Sequence, residues 1–296
     1  MRLPGRWGEI LRVLICLHGP FEARSRECGV CQNQGDMTHG SLFSGVGGFD
    51  LAAEWMGWEN LFHCEINDFC REFLTKRFKG VSYNDITTTD FSIWRGRVDI
   101  LTGGFPCQDA SKAKQFGEGQ LGLGGERTGL WRHMARAIDE IRPRWVVAEN
   151  VANITRVNDG RDFAKILDEL ARLGYDAEWK IMYASDAGAP HRRARCYMVA
   201  HTDGIRLHEG EPFFSNVCQE IIKERRMLSG TPISVGVTWA GQPPVCSLDY
   251  GFSRKSSELY GKSRLKEEVF HAYGNAIVPQ VAFEIFKAIE ASIHSS

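Results

Sequence analysis

From residue 39 to residue 200, short apolar runs alternate with segments of helical spacing, and this alternation restricts the fold more than any other feature of the chain. Residues 39–43, 60–64, 98–101 and 145–148 read as buried strands, being short, apolar and bounded by turn residues. Between and after them, residues 50–56, 67–78, 128–141 and 163–173 carry apolar side chains at helical intervals. Pro143 and Gly174 stop the last two. Residues 179–183 and 196–200 read as a strand pair. Strands alternating with helices predict an α/β fold with a doubly wound, mostly parallel sheet and right-handed crossovers.

The alternation fails between residues 201 and 270, where Pro232, Pro243 and Pro244 fall and only 217–227 has helical spacing. A second, smaller domain is expected there. Residues 278–289, apolar at Val281, Ile285, Phe286 and Ile289, predict a helix that docks back on the first domain. The first domain therefore comprises 37–200 plus 271–296. Residues 1–36 lack strand or helical periodicity, and Met37 stands just before the first strand. They are expected to be a disordered tail, or translation from a start codon placed too early.

The net charge of −1 gives no bulk attraction to nucleic acid, so any such binding must come from local basic groups. The nine cysteines are scattered and odd in number, which argues against a disulfide framework. Cys28 and Cys31 form a CxxC with no second pair at zinc spacing, so no metal site is expected. No apolar run reaches membrane-spanning length, and Arg12 interrupts the run at 10–17. A cytoplasmic protein with no membrane partner is expected.

Two groups of residues carry chemistry. In the first, Ser44-Gly45-Val46-Gly47-Gly48 follows a strand and opens a helix, where glycines let the backbone approach a ligand. Glu65 ends the next strand, about 20 residues on, where a carboxylate can hold ribose hydroxyls. Asp85 and Ile86 follow the third strand and can bond and pack an adenine ring. Together they predict a nucleoside-containing cofactor. The loop lacks the full G-x-G-x-x-G spacing expected for NAD, and no P-loop sequence occurs. In the second group, Gly103-Gly104-Phe105-Pro106-Cys107-Gln108 holds a cysteine at a strand's carboxyl end, where open α/β sheets place ligands. Glu149-Asn150-Val151 ends another apolar strand, where poor solvation should raise the Glu149 pKa and suit it to general acid work. Strand alternation puts Arg193 and Arg195 on one face and Arg192 on the other. Two guanidiniums on one face suit an anion, or a base carbonyl plus a phosphate.

In this order, the pieces resemble the cytosine-5 DNA methyltransferases. Phe43-Ser44-Gly45-Val46-Gly47-Gly48, Gly104-Phe105-Pro106-Cys107-Gln108, Glu149-Asn150-Val151, Arg193-Ala194-Arg195 and Gly274-Asn275-Ala276-Ile277-Val278-Pro279-Gln280 look like five of that family's motifs. His191 stands where the family commonly has Gln. The resemblance implies a class I, Rossmann-like methyltransferase domain that takes S-adenosylmethionine as methyl donor, with a target-recognition domain at 201–270. It implies cofactor contacts from Phe43, Gly45, Gly47, Glu65, Ile66, Asp85, Ile86, Asn275 and Ala276. It also implies a cytosine flipped out of double-stranded DNA, attacked by Cys107 and served by Glu149, Arg193 and Arg195. Pro106, Gln108, Ser111, Arg127 and Asn150 would contact substrate or fix the loop at 109–125, expected to close over the flipped base. Residues 201–270 hold nine Lys and Arg against nine Asp and Glu, so recognition there would rest on individual residues such as Arg225, Arg226, Arg254 and Lys255. A monomer is expected, with a cognate restriction endonuclease as companion. Cytosine-5 methylation of RNA and a catalytically silent DNA-binding homologue are the alternatives. A nicotinamide oxidoreductase on the same sheet would leave Cys107 and Glu149 without a role.

Overall fold

The computed structural model describes residues 37–106, 129–187, 192–202, 213–215, 217–219, 221 and 276–294. The tail expected over 1–36, the loop at 109–125 and most of 201–270 lie outside the described residues.

The first strand, β1 (Thr38–Leu42), leads through a glycine turn into α1 (Gly48–Met56). Then follow β2 (Glu59–Cys64), α2 (Asp68–Arg77) and the short β3 (Val81–Tyr83). A 3-10 turn at Ser92–Trp94 precedes β4 (Ile100–Gly103), and α3 (Trp131–Ile141) precedes β5 (Trp145–Val151). A kinked 3-10 segment, Ala152–Gly160, leads to α4 (Arg161–Arg172), then β6 (Tyr175–Tyr183) and β7 (Ala194–Thr202). The described chain ends in α5 (Pro279–His294). The sheet order is β3-β2-β1-β4-β5-β7-β6. The first five strands are parallel, and β7 runs antiparallel to both β5 and β6. The sheet is thus mostly parallel, as the alternation predicts, with one reversed strand. The 3-10 segment at 152–160 carries no apolar period, and β3 is only three residues long, so neither stands out in the sequence.

The period-two geometry of strands sends successive side chains to opposite faces, and here both faces are buried. Leu101, Val146, Ala148, Met198 and Ala200 face α3 and α4, which contribute Met134, Ala137, Ile138, Ile166 and Leu170. Their neighbours Ile100, Trp145, Val147, Tyr197 and Val199 face α1 and α5. Phe286 of α5 stacks on Trp58 at 4.8 Å between ring centroids, so the helix expected at 278–289 does return to the sheet. Helical residues 213–215 and 217–219 also reach this face, burying Phe213, Phe214 and Val217.

A seam of polar groups runs through the core beneath the glycine turn. Asp50, fully buried in the first turn of α1, has both carboxylate oxygens 3.0 Å from Ser41 Oγ. Ser41 Oγ lies 2.6 Å from Ser44 Oγ, which accepts from the Cys64 amide at 3.2 Å. Burial, opposed mainly by the Ser41 hydrogen bond, pushes the Asp50 pKa up to about 7. Its ordinary value is 3.8, so between about pH 4 and pH 7 the native state holds a proton that the unfolded chain has released. Stability from this group is therefore full in acid and lost as pH rises through 7. Asp50→Asn should flatten that slope: the melting temperature of the wild type should fall from pH 5 to pH 8, and that of the variant should fall less.

Gly47 caps α1 with φ +79°, and a Cβ there would meet the Phe78 ring at 2.3 Å. Both the left-handed backbone and the packing of the α2 end require glycine. Gly47→Ala is expected to destabilise the fold by about 2 kcal/mol or more, as read by denaturant unfolding.

Candidate active site

A cleft of about 490 Å³ opens along the carboxyl ends of the parallel strands. It straddles β1 and β4, where the strand order reverses and open α/β sheets bind ligands. Its lining comes from each strand end in turn: Phe43 and Gly45 after β1, Glu65 and Ile66 after β2, Asn84 and Asp85 with Ile86 after β3. Gly104, Phe105 and Pro106 follow β4, and Glu149, Asn150 and Val151 close β5. Arg195 joins them because β7 runs antiparallel, which sets its start beside Val151 at the end of β5.

On one side the chain is shaped to receive a ligand. Phe43 has φ +51°, a left-handed conformation that an aromatic L-residue holds only at a cost of about 1–2 kcal/mol. Gly45 follows at φ +55°, and its amide donates to Glu65 Oε2 at 2.7 Å. Glu65 Oε1 accepts from the Asn67 amide at 2.8 Å, so this carboxylate is fixed in place at the cleft wall by two backbone donors. Asp85 Oδ1 accepts from the Thr87 amide at 2.8 Å and shapes the next turn. Ile66 is 68% exposed at the rim, whereas Ile86 is buried. Gly47 and Ala276 are not in the lining among the described residues: Gly47 packs on Phe78, and the Ala276 carbonyl accepts from Arg193 Nη2 at 2.8 Å.

On the other side stands Glu149, buried at the end of β5 with Arg195 Nε 2.9 Å from its Oε1. The contact is an ion pair between the guanidinium and the buried carboxylate. Burial raises the Glu149 pKa to about 7, and Arg195 and then Arg193 oppose it. The expected rise is present, and desolvation is its cause. The two guanidiniums have Glu149 as their nearby anion. Arg195 is at the cleft, whereas Arg193 precedes the first residue of β7 with φ +21° and reaches back to Ala276. Simple strand alternation therefore does not govern Arg193, which braces the chain at 276 instead of facing the cleft. Arg192 lies over the Tyr183 ring at 4.8 Å.

Asn150 holds the approach to Cys107: its Nδ2 donates to the Phe105 carbonyl at 3.0 Å, and its Oδ1 accepts from the Val151 amide. The Phe105 ring packs on Trp131 at 5.1 Å, and the Trp131 indole donates to Glu169. A Cβ on Gly104 would lie 3.1 Å from Ile277 Cδ1 and 3.4 Å from Glu149 Oε2, so glycine keeps this wall beside the acid open. Cys107, Gln108, Ser111, Arg127, Asn275 and His191 lie outside the described residues. Sequence reasoning passed over Asn67, Asn84 and Leu130, which also line the cleft. Asn67 was readable as a helix cap, since its side chain accepts from the Cys70 amide.

The family model for C-5 cytosine-specific DNA methylase matches residues 37–233. The chain belongs to that family, whose members use S-adenosylmethionine as methyl donor. Among curated relatives it is 35% identical over 171 residues to the Type II methyltransferase M.NgoBI of Neisseria gonorrhoeae, covering 58% of this chain and 52% of that protein. It is 33% identical over 166 residues to M2.BsuMI of Bacillus subtilis, covering 54% of this chain and 41% of the relative. The chain thus spans about half the length of the curated relatives it matches. Among solved structures, a putative DNA modification methyltransferase encoded within an E. coli prophage superposes with TM-score 0.56 at 16% identity, covering 88% of this chain and all of that one. The S. pombe Dnmt2 methyltransferase gives 0.55 at 14% identity, with the same coverage. These likenesses establish the fold.

Proposed function

We propose that the chain transfers a methyl group from S-adenosylmethionine to carbon 5 of a cytosine flipped out of double-stranded DNA. The observation that carries this reading is the buried Glu149, with its raised pKa and its ion pair to Arg195, in the same cleft as Pro106 and the fixed Glu65. The residues fit the cofactor. A carboxylate pinned between two amides suits a ribose, and Phe43 and Ile86 offer apolar walls for an adenine. When bound, S-adenosylmethionine supplies an electrophilic methyl group on a sulfonium.

In this reading the Cys107 thiolate adds to carbon 6 of cytosine. Glu149 gives or shares a proton at ring nitrogen 3 and so neutralises the charge that addition places on the ring. Carbon 5, now enamine-like, can accept the methyl group that bound S-adenosylmethionine would supply, with S-adenosylhomocysteine as the leaving group. A base then takes the carbon 5 proton, the Cys107 sulfur leaves as thiolate, and Glu149 takes back the proton from ring nitrogen 3, which restores the aromatic ring. Arg195 both orients Glu149 and offers a donor to the exocyclic oxygen of the base. Residues 201–270 are proposed as the target-recognition domain, and a Type II restriction endonuclease as the companion activity. The test is transfer of labelled methyl from S-adenosylmethionine to duplex DNA and to tRNA, followed by bisulfite sequencing of the DNA. The reading expects label in duplex DNA at one short sequence. Label confined to tRNA, or no label, would contradict it.

A further inference from the structure

Two guanidiniums stand behind the loops on the nucleoside side of the cleft, and neither belongs to its lining. Arg71, in α2, donates from Nη1 to the carbonyls of Glu65 at 3.1 Å and Ile66 at 3.2 Å, and to Asn84 Oδ1 at 2.8 Å. Its Nη2 pairs with Asp68. It thereby joins the loop after β2 to the loop after β3. Arg136, in α3, donates from Nη1 to the Thr89 carbonyl at 3.0 Å and from Nη2 to the Ile86 carbonyl at 2.5 Å. Glu140 holds Arg136 at 2.6 Å and also accepts from the Phe91 amide at 2.9 Å. The backbone at Glu65, Ile66 and Ile86, whose residues face the cleft, is therefore gripped from behind by cations on two different helices.

The effect of such a grip follows from entropy and geometry. Beyond the strand ends the sheet ladder stops, and loop residues regain conformational freedom that a ligand must remove on binding. Charge-assisted bonds to the carbonyls remove it in advance. The planar guanidinium reaches several acceptors at once, which an ammonium on a flexible stem does not.

We infer that Arg71 and Arg136 are positioning residues that preorganise the nucleoside-binding loops, setting the affinity for the cofactor and leaving the rate of the chemical step unchanged. This rests on the cofactor reading above. The test is calorimetric titration of the full chain with S-adenosylhomocysteine and S-adenosylmethionine, alongside the methyl-transfer rate at saturating cofactor. Arg71→Gln and Arg136→Gln should each weaken Kd about tenfold. The Lys variants should recover only part of the loss, while the rate at saturation stays at the wild-type value. If a Gln variant does not fold, its Lys counterpart decides on the same readout. Unchanged Kd in the variants, or a rate at saturation that falls along with affinity, overturns the inference. If the wild-type chain binds neither ligand, the cofactor reading fails first. Wild-type binding with indifferent variants removes this inference alone.

Discussion

Glu149→Gln is expected to lower methyl transfer roughly 10²–10⁴-fold while leaving the affinity for S-adenosylmethionine unchanged. The substitution keeps the shape and a hydrogen-bonding head but cannot give up a proton. It also leaves Arg195, now 2.9 Å from a carboxylate, beside a neutral amide. The pH profile provides an independent check. With its pKa raised to about 7 from 4.5, Glu149 is protonated below neutrality and loses that proton as pH rises through 7. The part of the rate that depends on an acid at ring nitrogen 3 should fall across that range in the wild type and not in the Gln variant. The same shift acts on folding: stability from the neutral carboxyl is complete below about pH 4.5 and lost as pH rises through 7. Steady-state kinetics from pH 5 to pH 9 on both proteins would measure the effect.

Cys107→Ser should have the larger consequence, lowering turnover roughly 10⁴-fold or more. A hydroxyl is far less ionised than a thiol at neutral pH and a weaker nucleophile toward carbon 6. The variant should still fold and should bind S-adenosylmethionine as the wild type does, because Glu65, Asp85 and the glycine turn are untouched. Calorimetry beside a methyl-transfer assay separates the two properties, and residual turnover near the wild-type rate would exclude Cys107 as nucleophile.

The strands and helices were legible because each buried face has a regular period. Trp145, Val146, Val147 and Ala148 are all apolar since β5 is covered on both sides, and that run marks a central strand. Glu65 and Glu149 were legible for a related reason, as charged residues directly after apolar runs. The reversal of β7 was not, because a strand's direction depends on its connection and not on its pattern. Arg193 shows a second limit. Its position two residues before Arg195 suggested a shared strand face, but β7 begins only at Ala194, and Arg193 bonds the Ala276 carbonyl 83 positions away. Arg71 and Arg136 were invisible for the same reason: each grips backbone carbonyls, which carry no residue identity. Gly47 was read as a ligand-binding glycine, and its contact with Phe78 arises from tertiary packing no local spacing encodes.

The central claim is that a cysteine of this chain adds covalently to a cytosine while a methyl donor is bound. Duplex DNA carrying 5-fluorocytosine blocks the final proton loss and should trap that addition. Incubation with the chain and S-adenosylmethionine should yield a protein–DNA adduct stable to denaturation, with the linkage mapped by mass spectrometry to the peptide containing Cys107. Absence of any adduct on DNA that contains the methylated site, or a linkage at another residue, would contradict the account.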